Sequence, residues 1–152
     1  MKQYADILVF DKNGQLALIV EVKSKRETST DWAAQMRRNM YAHGLLPPAP
    51  FFLLALPDRF YLWKNTDKLL ESVEPTFKID PTAFLKPYYD NSGISPSSIT
   101  GKSFDLIVVS WLNQILRADA PQYLQNTNQD WIISSGLFDR LIGGHLELET
   151  AA

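Results

Sequence analysis

Residues 5–23 read Ala5-Asp6-Ile7-Leu8-Val9-Phe10-Asp11-Lys12-Asn13-Gly14-Gln15-Leu16-Ala17-Leu18-Ile19-Val20-Glu21-Val22-Lys23. Two apolar runs, residues 4–10 and 15–23, flank Asp11-Lys12-Asn13-Gly14. Asn-Gly between such runs is a strong hairpin signal, because both residues tolerate the positive φ of a tight turn. Each run is apolar at consecutive positions, so both faces must be covered, and the pair belongs at the centre of a sheet. A turn at Asn13-Gly14 sets Lys12 against Gln15. Counting back, Phe10 faces Ala17, Leu8 faces Ile19 and Asp6 faces Glu21. Residues directly opposite on antiparallel strands share a face, with Cβ atoms ~4.5–5.5 Å apart. Lys23, two residues beyond Glu21, falls on that face as well.

Two facing carboxylates among apolar neighbours repel unless one acid keeps its proton or a cation lies between them. A divalent ion with oxygen ligands suits the spacing. Asp6 and Glu21 are therefore candidate metal ligands, and Lys23 is placed to stabilise charge developing on a phosphate. Glu-x-Lys alone is common and fits a solvated strand end. The ordered set of acid, hairpin, Glu-x-Lys and capped helix is more specific.

Working outward, Thr28-Ser29-Thr30-Asp31 supplies a helix start, with a hydroxyl cap and an acid in the first turn. Trp32, Met36 and Met40 recur at helical spacing, and Gly44 followed by Pro47-Pro48 ends the element. Short strands are expected at 51–56 and 60–63, a short helix from Asp80-Pro81 to Leu85, and a turn-rich loop over 91–101. Phe104, Ile107, Val108, Trp111 and Ile115 form a helical stripe. A last helix is expected over 130–142, then an edge strand in which Leu146 and Leu148 alternate with glutamates. No repeat or linker divides residues 1–152, so a single domain is expected.

Composition narrows the chemistry. The 152 residues include no cysteine and two histidines, which excludes disulfides and thiolate sites and disfavours a histidine-rich zinc site. Any metal must be held mainly by oxygen, as magnesium or manganese are. The cysteine-free chain also suits a reducing cytoplasm, and no apolar run approaches the length of a membrane span. The formal net charge of −2 argues against polyanion binding by bulk electrostatics. Lys25, Arg26, Arg37 and Arg38 nevertheless cluster near the strand end and helix, as candidate phosphate contacts. Trp111 and Trp131 read as core, His43 as a helix-end residue, and Tyr88-Tyr89 as packing rather than base stacking.

Asp6, the hairpin, Glu21-Val22-Lys23 and the following helix together resemble the PD-(D/E)XK (restriction-endonuclease-like) nuclease superfamily. Ala5 stands where that motif has proline. Some members carry a glutamine on the helix; Gln35 resembles it, and Tyr41 is a looser match to a tyrosine that often follows. The resemblance covers residues 4–64; residues 65–152 match no motif. It implies an α/β (α+β) fold with a mixed sheet flanked by helices, here with an extra helical C-terminal part. It implies Mg2+ (or Mn2+) on Asp6 and Glu21, and a catalytic set of Asp6, Glu21, Lys23 and Gln35. The substrate would be DNA, cleaved by a metal-activated water. The alternative is an inactive nuclease-like module for nucleic-acid binding or protein assembly. The superfamily usually has a helix and a strand ahead of the motif acid, where only five residues precede Asp6. Either the C-terminal half replaces them, another subunit does, or the chain is a remnant. Apolar surface left by their absence would favour a homodimer.

Overall fold

A computed structural model describes residues 6–44, 47–64, 73–118 and 128–148. The hairpin forms, but by a different turn from the one expected. The Asp11 side chain accepts the amides of Asn13 and Gln15, both at 2.9 Å, and Gly14 takes φ 80°. The Asp11 amide donates to the Gln15 carbonyl at 2.8 Å, so three residues make the loop. Alone, that loop would slide the strands by one residue, and Phe10 indeed pairs with Leu16 rather than Ala17. A bulge between Val9 and Phe10 then absorbs Ala17 and restores the expected register, with Leu8 against Ile19 and Ile7 against Val20. The facing of Asp6 and Glu21 thus depends on a bulge that the sequence does not announce.

These strands are β1 (Ile7–Phe10) and β2 (Leu16–Val22). Helix α1 (Thr30–Ala42) follows, with the Ser29 hydroxyl accepting the Trp32 amide at 3.1 Å. Gly44, at φ 66°, ends it as expected. Next come β3 (Phe51–Ala55), β4 (Phe60–Lys64) and β5 (Phe77–Ile79). The chain continues with α2 (Thr82–Ser92), a 3-10 turn at Pro96–Ser98, α3 (Gly101–Leu116), α4 (Asp130–Ser134), α5 (Leu137–Leu141) and β6 (His145–Leu148). The six strands form one mixed sheet in the order β5-β4-β3-β2-β1-β6. Only β2 and β3 are parallel, joined through α1; the other pairs are antiparallel.

Four expectations are corrected. The three-residue β5 lies where no strand is expected. Helix α2 runs to Ser92, past Pro87, because Phe84, Leu85 and Tyr89 anchor it while Pro87 sits on the exposed side. The loop over 91–101 is shorter, since it contains the end of α2 and the 3-10 turn. The helix expected over 130–142 is split at Gly136, whose φ of 87° breaks helical geometry.

Helices cover both faces of the sheet. Against one lies α1, with Ala33 and Met40 packed on Leu8, Ile19, Phe52, Leu54, Tyr61 and Trp63. Against the other lie α2 to α5, whose Phe84, Phe104, Trp111, Trp131 and Phe138 join Val9, Val20, Leu53 and Phe60 in one core. Trp111 is fixed within it by its Nε1–H, which donates to Gln129 Oε1 at 2.9 Å. The homodimer expectation rests on apolar surface left bare beside β1. Here β6 pairs with β1 and α2 to α5 cover the sheet; among the described residues the large exposed hydrophobics are Leu106 and Leu148. No described helix is long and apolar enough to cross a membrane.

Candidate functional site

Glu21 sits near the C-terminal end of β2, on the α1 side of the sheet, and is 6% exposed. Burial in a strand flanked by Val20 and Val22 is costly for an ionised carboxylate. Asp6, in the bend ahead of β1, presses on it from the neighbouring strand. Asp6 Oδ2 accepts the Val22 amide at 2.8 Å, which fixes its carboxylate beside Glu21. Burial first, and the Asp6 charge second, push the Glu21 carboxyl up to about 8. Lys23 opposes this shift, its Nζ lying 3.6 Å from Glu21 Oε1. The second oxygen, Glu21 Oε2, is buried with no hydrogen-bond partner. The structure therefore brings Asp6, Glu21 and Lys23 together.

The donor set suits a hard divalent cation. Two carboxylates lie side by side, and one buried oxygen, Glu21 Oε2, lacks a hydrogen-bond partner. Among the described residues no group of three carboxylate or imidazole donors is present, so solvent or substrate oxygens would complete the shell. A further acid that feels the pair is Asp105 of α3, half-buried, whose carboxyl is raised by burial and then by the Asp6 charge.

Gln35 lies apart from this group. The buried stripe of α1 is Ala33, Ala34, Arg37 and Met40, offset by one residue from the Trp32-Met36-Met40 stripe read from sequence. At about 100° per residue, Gln35 is then turned away from the sheet. It is exposed and borders a shallow groove with Trp32, Met36, Asn39 and His43. Tyr41 instead packs beside Phe52, with ring centroids 6.3 Å apart.

Among the candidate phosphate contacts, Arg37 is corrected outright: it is fully buried. Its guanidinium lies 4.7 Å from the Tyr41 ring centroid and 5.7 Å from that of Trp63. Burial lowers its pKa, and it is an interior packing residue rather than a surface cation. Arg38 is exposed on α1. Arg26 donates to the Pro96 carbonyl, tying the segment after β2 to the 3-10 turn. Lys25 is exposed, its Nζ 5.5 Å from the Trp32 ring centroid. Sequence reasoning missed Lys102 and Asp105, which α3 brings to the same end of β2. Asp105 directly follows a stripe residue, Phe104, and that adjacency was the available signal. His43 caps α1, Trp111 and Trp131 are core, and Tyr89 is buried in packing, as the sequence suggests. Comparisons with protein families, curated proteins and solved structures found no match to this chain.

Proposed function

We propose that this chain is a metal-dependent phosphodiesterase acting on DNA, built on a restriction-endonuclease-like core. Asp6 and Glu21 would hold Mg2+ or Mn2+, and Lys23 would act as the catalytic cation. The observation that carries this reading is Glu21: a buried carboxylate with an unpartnered oxygen, pressed against Asp6 and 3.6 Å from Lys23. Such an arrangement weakens the fold unless it has a use, since an apolar residue at position 21 would be cheaper to bury. A cation bound there would supply Lewis-acid polarisation of a phosphoryl oxygen and a water of lowered pKa. Lys23 would stabilise negative charge on the phosphate as it develops.

The order of elements supports the same reading. Acid, hairpin, Glu-x-Lys, helix and parallel strand occur as β1, β2, α1 and β3. On this reading α3, against the sheet, and β6, beside β1, would stand in for the helix and strand that the superfamily has ahead of its motif acid. The non-catalytic alternative is favoured by one specific finding, that Gln35 faces away from the site.

Melting and cleavage separate the two readings. Manganese at tenfold over its dissociation constant should stabilise the wild type by ~1.4 kcal/mol through linkage. Asp6→Ala should abolish that shift. Manganese-dependent cleavage of single- or double-stranded DNA, lost in both Asp6→Ala and Lys23→Ala, establishes the enzyme. A metal shift without cleavage selects the inactive module, and no shift at millimolar manganese removes the metal site.

A further inference from the structure

Next to Lys23, whose Nζ lies 3.6 Å from Glu21 Oε1, a cleft of about 580 Å³ opens between the segment after β2 and the start of α3. Its walls carry three ammonium groups, Lys23, Lys25 and Lys102, against one carboxylate, Asp105; Val22, Ser24 and Gly101 complete the lining. This concentration of positive charge stands out on a chain with 15 basic and 17 acidic residues. Among the described residues, the other lysine and arginine ion pairs are Lys86 with Asp90 at 2.9 Å and Arg140 with Asp11 at 3.8 Å, and exposed cations such as Arg38 and Lys78 form none. Lys23 is engaged with Glu21. Lys25 and Lys102 take part in no ion pair among the described residues. The Lys25 ammonium lies over the Trp32 ring, 5.5 Å from its centroid, a contact that orders the side chain at the mouth of the cleft.

We propose that this cleft holds the phosphodiester backbone of a nucleic-acid strand, with Lys25 and Lys102 each contacting a phosphate beside the one facing Asp6 and Glu21. This deepens the phosphodiesterase reading and rests on it for the position of the reacting phosphate. The chemistry favours a chain of phosphates over a small ester. One reacting phosphate needs only Lys23, whereas two further ammonium groups, Lys25 on the same wall and Lys102 on the α3 wall, fit an anion that repeats along the cleft. The cleft's openness suits a strand that enters and leaves rather than an enclosed metabolite. Sequence is not read by such contacts; they set position and salt dependence.

The test is binding of a short fluorescein-labelled oligonucleotide, single-stranded and duplex, by anisotropy in EDTA over a range of salt. Wild type is compared with Lys25→Gln/Lys102→Gln and with the control Lys86→Gln. Losing one phosphate contact per lysine should flatten the slope of log K against log salt by about 0.7 each on single strands and about 0.9 each on duplex. The control should match wild type. An unchanged slope and affinity in the double variant overturns the proposal. So does failure of wild type to bind either oligonucleotide at about 50 mM salt, or equal competition by polyglutamate, which would mark an acidic-peptide site. Binding of this kind without manganese-dependent cleavage upholds the cleft and removes the phosphodiesterase. Cleavage by wild type, with the double variant unchanged in binding and KM, removes the cleft alone.

Discussion

Glu21 carries an energetic signature that can be read without any ligand. Its carboxyl is raised from 4.5 to about 8, by burial first and Asp6 second. A raised acid binds its proton more tightly folded than unfolded. Its contribution to stability is therefore fully present below pH 4.5 and is lost as pH climbs towards 8. The slope has a ceiling of about 1.4 kcal/mol per pH unit within that window. Urea titrations at pH 5 and pH 8 should show wild type weakening as pH rises, with Glu21→Gln nearly flat. Equal slopes for the two proteins would mean that Glu21 is ionised at neutral pH and that its burial is compensated in some other way. Manganese, which needs the carboxylate, should stabilise wild type more at pH 8 than at pH 6. Asp6, Glu21 and Lys23 were reached from the sequence because the bulge at Ala17 cancels the one-residue slip of a three-residue loop, leaving the register that a two-residue turn would give. Lys102 and Asp105 were not, since nothing local links an α3 residue to the end of β2. Arg37 was misread for a related reason: a long basic side chain over two aromatic rings looks in sequence like any exposed helix cation.

At the scale of elements, what was legible depended on how far each signal reaches. Apolar runs and the Asn-Gly turn gave β1 and β2, and the hydroxyl cap and closing glycine gave α1. The bulge at Ala17 was hidden, because a bulge reflects agreement between a turn and a sheet rather than a residue preference. Helix α2 runs beyond Leu85, where the sequence reading ends it, and carries Pro87 in its interior. An interior proline costs ~3 kcal/mol relative to alanine in a helix, part of which is offset by its lower entropy in the unfolded chain. Pro87 is exposed, so Pro87→Ala should stabilise the protein by about 1–2 kcal/mol, measured as a raised urea midpoint with an unchanged m-value. A neutral result would mean that α2 is already distorted to suit proline. Gly144 behaves in the opposite way. A methyl group there would run into the Phe10 carbonyl oxygen, where the chain enters β6. Gly144→Ala should cost at least about 1–3 kcal/mol and loosen β6 from β1, seen as faster hydrogen exchange of the amides of Leu146 and Leu148.

For the molecule as a whole, the question is whether residues 1–64 form a core to which the rest is appended, as the span of the motif suggested, or whether the parts depend on one another. Packing decides for dependence. Twelve buried apolar residues belong to α3, α4 and α5, among them Phe104, Trp111, Trp131 and Phe138, and they share one cluster with Val9, Val20, Leu53 and Phe60. At ~1.5–3 kcal/mol for each buried side chain, losing them forfeits on the order of 20 kcal/mol or more of gross burial, before counting the sheet face they would leave bare. A domain's net stability is only about 5–15 kcal/mol. Ending the chain after Ser95 would also strip β6 from β1 and expose a long apolar strand edge. The truncated protein should therefore lack near-ultraviolet circular dichroism, bind 8-anilinonaphthalene sulfonate and show no cooperative urea transition. A cooperative transition in the fragment, with manganese still shifting its midpoint, would show that β1 to β5, α1 and α2 stand alone and carry the carboxylate site without α3. The expected failure would instead tie the site to the whole fold, because Asp6 and Glu21 lie on the two strands whose outer edge and far face the C-terminal half covers.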